Sequence, residues 1–199
     1  MQLKKQIILT GGSCSGKTTI SELIKPYLNT EYKYIPEIAT WLLSNPALFN
    51  FDISNMNDEN RKYFQTKIME YQIKCEKNII KQNMSMFQDR GILDGAAYLK
   101  GGISEMENIL NNKFKTSITE LTTYDGYNSI VILLSPPDRK TYNAFKNNNP
   151  VRYEDYDQTM EYFSKLKTIY KKYYHGIIEY NSFHKGSEFV VNSILSYII

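Results

Sequence analysis

The stretch "ILTGGSCSGKTT", residues 8–19, decides the fold of this 199-residue chain. Within it, Gly11, Gly16, Lys17 and Thr18 form the pattern G-x-x-x-x-G-K-T. Glycines at this spacing let successive backbone N–H groups converge on phosphate oxygens, and the N-terminus of a following helix adds positive potential. The lysine would reach the β- and γ-phosphates, and the threonine hydroxyl would hold Mg²⁺. The alternative is a tight glycine-rich turn followed by an ordinary exposed lysine.

The residues around this phosphate-binding loop (P-loop) favour nucleotide binding. The apolar "QIILT" (6–10) predicts a buried strand that runs into the loop, and "KTTISELIKPYL" (17–28) predicts the helix after it. A dinucleotide-binding G-x-G-x-x-G turn is excluded because position 13 is serine. Cys14 would contribute its backbone amide, with redox sensing as the alternative. The predicted nucleotide-binding residues are Gly11, Gly12, Ser13, Cys14, Ser15, Gly16, Lys17, Thr18 and Thr19.

Composition narrows the class of protein. The net charge of +3 is too balanced to indicate a nucleic-acid partner. Two distant cysteines and two histidines argue against a structural zinc site and favour a reducing, cytoplasmic location. No apolar run approaches the roughly 18–20 residues of a membrane span, so no membrane partner is expected. A homodimer is left open.

Alternating strand and helix patterns predict the architecture. The strands are too apolar for burial on one face only, which indicates a parallel sheet covered on both faces. We therefore expect one P-loop domain over residues 1–199, a three-layer α/β P-loop NTPase fold with a five-stranded parallel sheet and a lid. The further strands are predicted at 31–37, 85–89, 128–137 and 176–181. The further helices are predicted at 38–45, 57–83, 154–175 and 186–199, with one more that follows "DRG" (89–91) and ends at about Leu99. The helix 57–83 carries Phe64, Ile68, Tyr71, Cys75 and Ile79 at helical spacing.

Charged residues at the predicted strand ends are the candidate catalytic groups, because ligands of open α/β sheets lie beyond the carboxyl ends of the strands. Asp89 would hold Mg²⁺ or act as a base, with a helix N-cap as the alternative. Glu37 would accept the proton of an attacking hydroxyl, with a helix-start carboxylate as the alternative. Arg90 would clamp phosphate or the carboxylates, with a surface arginine as the alternative. Glu37 and Arg90 are also predicted to bind the acceptor.

A lid is predicted over residues 139–155, which contain the polar run "NNNPVRYED". Its closure would bring Arg152 to the transferring phosphate, and Arg139 is a second candidate. The alternative is a solvated loop arginine. We expect residues 141–153 to be mobile without ligand, because Phe145 and Val151 are their only apolar anchors.

The motifs "ILTGGSCSGKTT", "IPEIATWL", "FQDRGILDGAAYL" and "VILLSPP…VRYED" have an order and spacing that resemble a family of P-loop kinases. This family includes the ribosylnicotinamide kinase domain of NadR-type proteins, and the deoxynucleoside kinases are similar more distantly. The resemblance covers nearly the whole chain, and its specific parts are the P-loop and "DRG-x-x-D-x-x-AY". It implies Lys17 and Thr18 on ATP–Mg²⁺, Asp89 as the catalytic or metal carboxylate, Glu37 on the acceptor side and Arg152 in the lid.

One departure from this family concerns the acceptor. The family commonly has an arginine two or three residues after "PE", where this chain has Ala39, Thr40 and Trp41. A tryptophan here is similar to the deoxynucleoside kinases, where it lies by the base pocket, and a core position is the alternative. On the long helix, Tyr63, Phe64 and Gln65 would stack on and hydrogen-bond a nucleobase, although an aromatic stripe is also typical of a core.

The predicted activity is therefore transfer of the γ-phosphate of ATP to a small hydroxyl-bearing acceptor, with a nucleoside or nucleoside-like compound favoured. A nucleoside monophosphate kinase is the nearest alternative, although it would need more arginines than Arg61, Arg90, Arg139 and Arg152 supply. An NTP-dependent switch or regulatory ATPase is the alternative from another class.

Overall fold

The fold is described from a computed structural model, which covers residues 3–52, 55–147 and 154–198. The strands are β1 (Lys4–Gly11), β2 (Tyr32–Ile35), β3 (Ser85–Asp89), β4 (Tyr127–Leu134) and β5 (Ile177–Tyr180). The helices are α1 (Lys17–Ile24), α2 (Ile38–Leu43), α3 (Asp58–Lys81), α4 (Asp94–Tyr98), α5 (Gly102–Ile109), α6 (Ile118–Thr122), α7 (Arg139–Asn147), α8 (Tyr156–Tyr173), α9 (Ser182–Lys185) and α10 (Ser187–Ile198).

The five strands form one parallel sheet in the order β2-β3-β1-β4-β5. The predicted five-stranded parallel sheet is therefore confirmed. β3 lies directly beside β1, with Asp89 opposite Leu9. The carboxyl end of β3 and the P-loop that follows β1 consequently meet at the same edge of the sheet.

Helices cover both faces of the sheet, as the apolar strands predicted. On one face, Ile7 and Leu9 pack with residues of α1 and α10 such as Ile20 and Ile194. On the other face, Ile8 packs with residues of α3, α4 and α8. Alternate side chains of one strand thus enter two different cores, which gives the three-layer α/β architecture. No helix within the described parts of the chain is long and apolar enough to cross a membrane.

Two stretches add to or differ from the sequence-based expectation. Residues 101–127, to which the sequence pattern assigned no element, form α5, a π-helical turn (Leu110–Phe114) and α6, with a capping box at Ser117. The beginning of the predicted lid, through Asn147, is the helix α7. The expectation of no further apolar anchor there was wrong, because Tyr142 of α7 is fully buried and its hydroxyl lies 2.8 Å from that of Thr159.

The buried face of α3 is wider than its aromatic stripe indicated. Phe64 and Ile79 are buried as expected, but Gln72 and Glu76 are buried as well. Glu76 accepts hydrogen bonds from the Gln72 amide and the Tyr124 hydroxyl, each at 2.7 Å. Burial nevertheless raises the pKa of Glu76 to about 7, although these hydrogen bonds oppose the shift.

This buried carboxyl predicts a pH-dependent stability. Because the pKa of Glu76 rises from 4.5 to about 7 on folding, the wild type should lose stability as the pH rises through that interval. Glu76→Gln has no such titration, so relative to wild type it should gain up to about 3 kcal/mol between pH 4 and pH 8.5. Urea unfolding of both proteins at several pH values measures the difference. A difference independent of pH would contradict the raised pKa.

Candidate functional site

The P-loop follows β1 and makes a turn that requires glycine at its start. Gly11 has φ +146°, and a Cβ atom there would lie 2.1 Å from the carbonyl oxygen of Leu134. The loop continues through Cys14, which adopts the left-handed conformation (φ +59°), to Gly16 (φ +88°). The carbonyl of Ser15 accepts a hydrogen bond from Ser182 of α9, so this helix supports the loop from outside.

Lys17, the first residue of α1, is folded back onto the P-loop. Its Nζ donates to the carbonyl oxygens of Gly11 and Gly12, at 3.0 and 2.7 Å, and to Ser15 Oγ at 3.3 Å. Only 8% of the residue is exposed, which excludes the ordinary surface lysine. Burial, with the nearby Arg90 cation, lowers the pKa of Lys17 to about 8.

Asp89 ends β3 and is buried behind the P-loop. Its Oδ2 accepts a hydrogen bond from Ser21 of α1 at 3.1 Å, whereas its buried Oδ1 has no hydrogen-bond partner among the described residues. The nearest helix, α4, begins five residues later, so Asp89 is not a helix N-cap. Burial and the neighbouring Glu37 raise the pKa of Asp89, and Lys17 and Arg90 oppose that shift.

Glu37 and Arg90 form an ion pair in the same region. Arg90 Nε donates to Glu37 Oε1 at 2.5 Å, and Thr40 Oγ1 donates to Glu37 Oε2 at 2.7 Å. Glu37 occupies the N-cap position of α2, as the helix-start alternative requires, although its side chain makes no capping hydrogen bond to the backbone. Burial would raise the pKa of Glu37, but the cations Arg90 and Lys17 outweigh it and hold the pKa at about 2. Glu37 is therefore a carboxylate throughout the physiological range.

Asp94 is a site residue that the sequence reasoning did not select. This buried residue accepts hydrogen bonds from Arg90 Nη1 (3.0 Å), the Thr10 hydroxyl (2.8 Å) and the Tyr170 hydroxyl (2.6 Å). The hydrogen bond from Tyr170 to Asp94 requires a glycine at position 91, since a Cβ atom there would lie 2.4 Å from the Tyr170 hydroxyl. Asp94 stands in the "DRG-x-x-D" pattern, which was the signal that could have identified it.

A cleft of about 400 Å³, called here the large cleft, opens between the P-loop, α2, α3 and α4. Lys17, Glu37 and Arg90 line one part of it, and the predicted Phe64 and Gln65 line another. Gln72, Asp94, Tyr98 and Glu154 also line it and were not predicted. Trp41 is not among the lining residues; it packs against Tyr71 with ring centroids 5.3 Å apart, which agrees with the core alternative.

A second cavity of about 310 Å³, called here the small cleft, lies on the side of the P-loop that faces α7 and α9. Cys14, Lys17 and Thr18 line both clefts. The small cleft also contains Phe145 of α7 and Phe183 of α9, whose ring centroids are 5.8 Å apart. Both rings are exposed, at 47% and 40%, although large apolar side chains are usually buried. Isolated phenylalanines carry no sequence motif, so nothing in the sequence pointed to this pair.

The residues predicted for the lid have different positions. Arg139 is on the surface, where it pairs with Asp157 at 2.5 Å and lies over the Tyr156 ring. Arg152 lies outside the described residues, so its proposed role rests on the sequence. Glu154, just after it, accepts a hydrogen bond from Ser13 of the P-loop.

The residues present fit a nucleoside triphosphate with Mg²⁺. The glycine turn exposes backbone amides, and the unpartnered Asp89 Oδ1 is the type of hard oxygen that Mg²⁺ prefers. The Thr18 hydroxyl, at the start of α1, is exposed on the same edge. No group of three or more His, Cys, Asp or Glu side chains in the described residues could hold a metal by itself. A cation here would therefore depend on ligands from phosphate and water as well.

Comparisons with known structures agree with this fold. A thymidylate kinase from Ehrlichia chaffeensis is 19% identical, with a TM-score of 0.61 over 98% of this chain and 99% of that one. A shikimate kinase from Acinetobacter baumannii, solved in complex with shikimate, is 16% identical, with a TM-score of 0.51 over 98% of this chain and 93% of that one. At these identities the likeness shows the fold alone, which is the α/β P-loop kinase fold.

Comparison with curated protein sequences gives no significant match. A family model described as an AAA domain matches residues 6–187, a range that includes the P-loop, both clefts and, apart from the first two residues of β1, all five strands. The chain belongs to this AAA-domain family of P-loop proteins.

Proposed function

We propose that this protein is an ATP-dependent kinase that transfers the γ-phosphate to a hydroxyl group of a nucleoside or nucleoside-like acceptor. The observation that carries the proposal is the pair of clefts that share Cys14, Lys17 and Thr18 of the P-loop. A transferase needs two substrates to meet at one phosphate group, whereas a nucleotide-dependent switch needs only one binding cavity.

The small cleft is the proposed site of the donor nucleoside. It opens next to the P-loop, and its two exposed phenylalanines, Phe145 and Phe183, offer aromatic faces on which a nucleobase can stack. The P-loop amides and Lys17 would bind the phosphates. Mg²⁺, held by Asp89 and Thr18, would neutralise charge on the transferring group.

The large cleft is the proposed acceptor site. The ionised Glu37, beside Arg90 and Lys17, would accept a hydrogen bond from the attacking hydroxyl and orient it. The rest of the cleft combines the Phe64 ring with the amide of Gln65, a combination that suits a planar ring with polar edges.

The charges of the large cleft favour an acceptor without a phosphate group. Its cations among the described residues are Lys17 and Arg90, and three carboxylates, Glu37, Asp94 and Glu154, line the same cleft. Arg90 is already paired with two of them. A monophosphate would add negative charge where no further described cation is available, so a nucleoside monophosphate kinase is the less favoured alternative.

An assay of ADP release tests the proposal, with nucleosides, ribosylnicotinamide and nucleoside monophosphates as acceptors. The expected result is acceptor-dependent ADP release with an unphosphorylated acceptor. Release that no acceptor stimulates would favour the regulatory ATPase, and release that only monophosphates stimulate would favour the monophosphate kinase.

Lys17→Ala should lower kcat/KM by at least about 10²–10³-fold, because it removes a preorganised cation from the phosphate site. The fold should persist, since the substitution removes a cation that burial disfavours. Lys25→Ala loses a pairing with Glu22 and a contact with the Tyr34 ring, and Lys25 lines neither cleft; it is the matched control and should retain full activity. Undiminished transfer by a folded Lys17→Ala protein would refute the kinase proposal.

Asp89→Asn and Glu37→Gln should produce different defects. If Asp89 holds the metal, the activity of Asp89→Asn should depend steeply on Mg²⁺ concentration. If Glu37 receives the proton, Glu37→Gln should lower kcat by roughly 10²–10⁴-fold with little change in ATP affinity. Initial rates over a Mg²⁺ series and ATP binding by calorimetry separate the two. Wild-type activity in both variants would show that neither carboxylate is catalytic.

Phe145→Ala and Phe183→Ala should each raise the KM for ATP, by roughly 5- to 100-fold, through the loss of base stacking. The KM for the acceptor should stay unchanged, because neither residue lines the large cleft. Phe189→Ala is the control, since Phe189 is similarly exposed but lies outside the small cleft. Equal effects of all three substitutions would exclude the small cleft as the donor site.

A further inference from the structure

Gln72 of α3 lines the large cleft, and its side-chain amide is hydrogen-bonded to a buried carboxylate. Only 3% of the residue is exposed, yet it lines the cleft. Its Nε2 donates to Oε1 of Glu76, one helical turn further along α3, at 2.7 Å. The amide oxygen of Gln72 has no hydrogen-bond partner among the described residues.

Glu76 determines which end of this amide faces the cleft. It is fully buried, and its second oxygen accepts a hydrogen bond from the Tyr124 hydroxyl at 2.7 Å. An ionised carboxylate can only accept hydrogen bonds, so the nitrogen of Gln72 must point towards Glu76. The oxygen of the same amide is thereby left for a ligand in the cleft.

Gln65, two helical turns earlier on α3, differs in this respect. It also lines the large cleft, but its amide makes no hydrogen bond within the described residues. A glutamine without a fixed partner can turn its amide to donate or to accept. Gln65 can therefore adapt to either kind of ring edge, whereas Gln72 cannot.

We propose that Gln72 Oε1 is a dedicated hydrogen-bond-acceptor subsite, and that the acceptor substrate carries an N–H or NH₂ donor on the ring or amide that faces it. Glu76 is then a positioning residue, which acts on the substrate only through Gln72. The inference rests on the proposed function, because it takes the large cleft as the acceptor site.

Energetics make this subsite selective. A carbonyl oxygen that a bound substrate cuts off from water without offering it a donor costs about 1–3 kcal/mol, and a ring that presents only acceptors would also face it with like partial charge. Compounds with an exocyclic amine, a ring N–H or a carboxamide should therefore bind better than isosteres that lack the donor. The expected discrimination is roughly 10- to 100-fold in Kd.

The test measures binding of matched ligand pairs to the full chain by calorimetry, with ADP and Mg²⁺ present. The pairs are adenosine with purine riboside, cytidine with pyrimidin-2-one riboside, thymidine with 3-methylthymidine, and ribosylnicotinamide with its 3-acetylpyridine analogue. Within each pair one member lacks the donor. Measurements at pH 8.5 keep Glu76 ionised, since its pKa is about 7.

For any pair that binds to the wild type, the Kd of the donor-bearing member should be lower by roughly 10- to 100-fold. Gln72→Met, which keeps the side-chain length but removes the carbonyl, should reduce this ratio to about one. Gln65→Met is the matched control on the same helix. It should weaken the binding of both members alike and leave the ratio of their Kd values unchanged. Glu76→Gln should lower the ratio, because an amide at position 76 can donate as well as accept and no longer fixes Gln72.

A wild-type ratio near one, or an undiminished ratio in folded Gln72→Met, would overturn the subsite. An undiminished ratio in Glu76→Gln would overturn the positioning role of Glu76. Binding selectivity without phosphate transfer would refute the kinase proposal and leave the subsite intact. Phosphate transfer without selectivity between the members of a pair would support the kinase proposal and overturn the subsite. If no pair bound to the wild type, both the nucleoside-like acceptor and the subsite would be wrong.

Discussion

The ion pairs of Arg90 with Glu37 and Asp94 are the interaction on which the rest of the site depends. They connect the end of β3 to the start of α2 and the start of α4. Asp94 extends the connection to β1 through Thr10 and to α8 through Tyr170. A buried charge is stable only when it is paired and hydrogen-bonded, so these contacts hold five elements together around the P-loop. The floor of the large cleft is thus set before any ligand binds.

Charge is distributed unevenly around the shared P-loop. The small cleft is lined by Lys17, other P-loop residues and two phenylalanine rings, and no described carboxylate lines it. In the large cleft, three carboxylates outnumber the two cations. An anionic donor and an uncharged acceptor are therefore favoured on different sides of the same lysine. This asymmetry supports the proposed assignment of the two substrates better than cavity size does, because the volumes of about 310 and 400 Å³ are similar.

The buried polar group at Glu76 illustrates a conflict between stability and specificity. Burial raises the pKa of Glu76 to about 7, so keeping it ionised at high pH weakens the fold. An apolar residue would pack there without this penalty. Glu76 accepts hydrogen bonds from Gln72 and Tyr124. The bond from Gln72 orients a side chain that lines the large cleft, which is the proposed reason for a carboxylate at this position. A destabilising group beside a ligand cleft is typical of residues retained for function.

The sequence by itself determined the P-loop, the parallel sheet and the residues at the strand ends, because these depend on local signals. Glycine spacing, runs of apolar residues and the position of Asp89 directly after β3 can be read without knowing what packs where. Contacts between distant segments were decided only by the tertiary structure. Phe145 and Phe183 meet across 38 residues of chain, and Gln72 is oriented by a carboxylate that a helical pattern would assign to the surface. Burial and partner choice are properties of the packed whole, so the two clefts and the fixed amide appear only once the helices lie on the sheet.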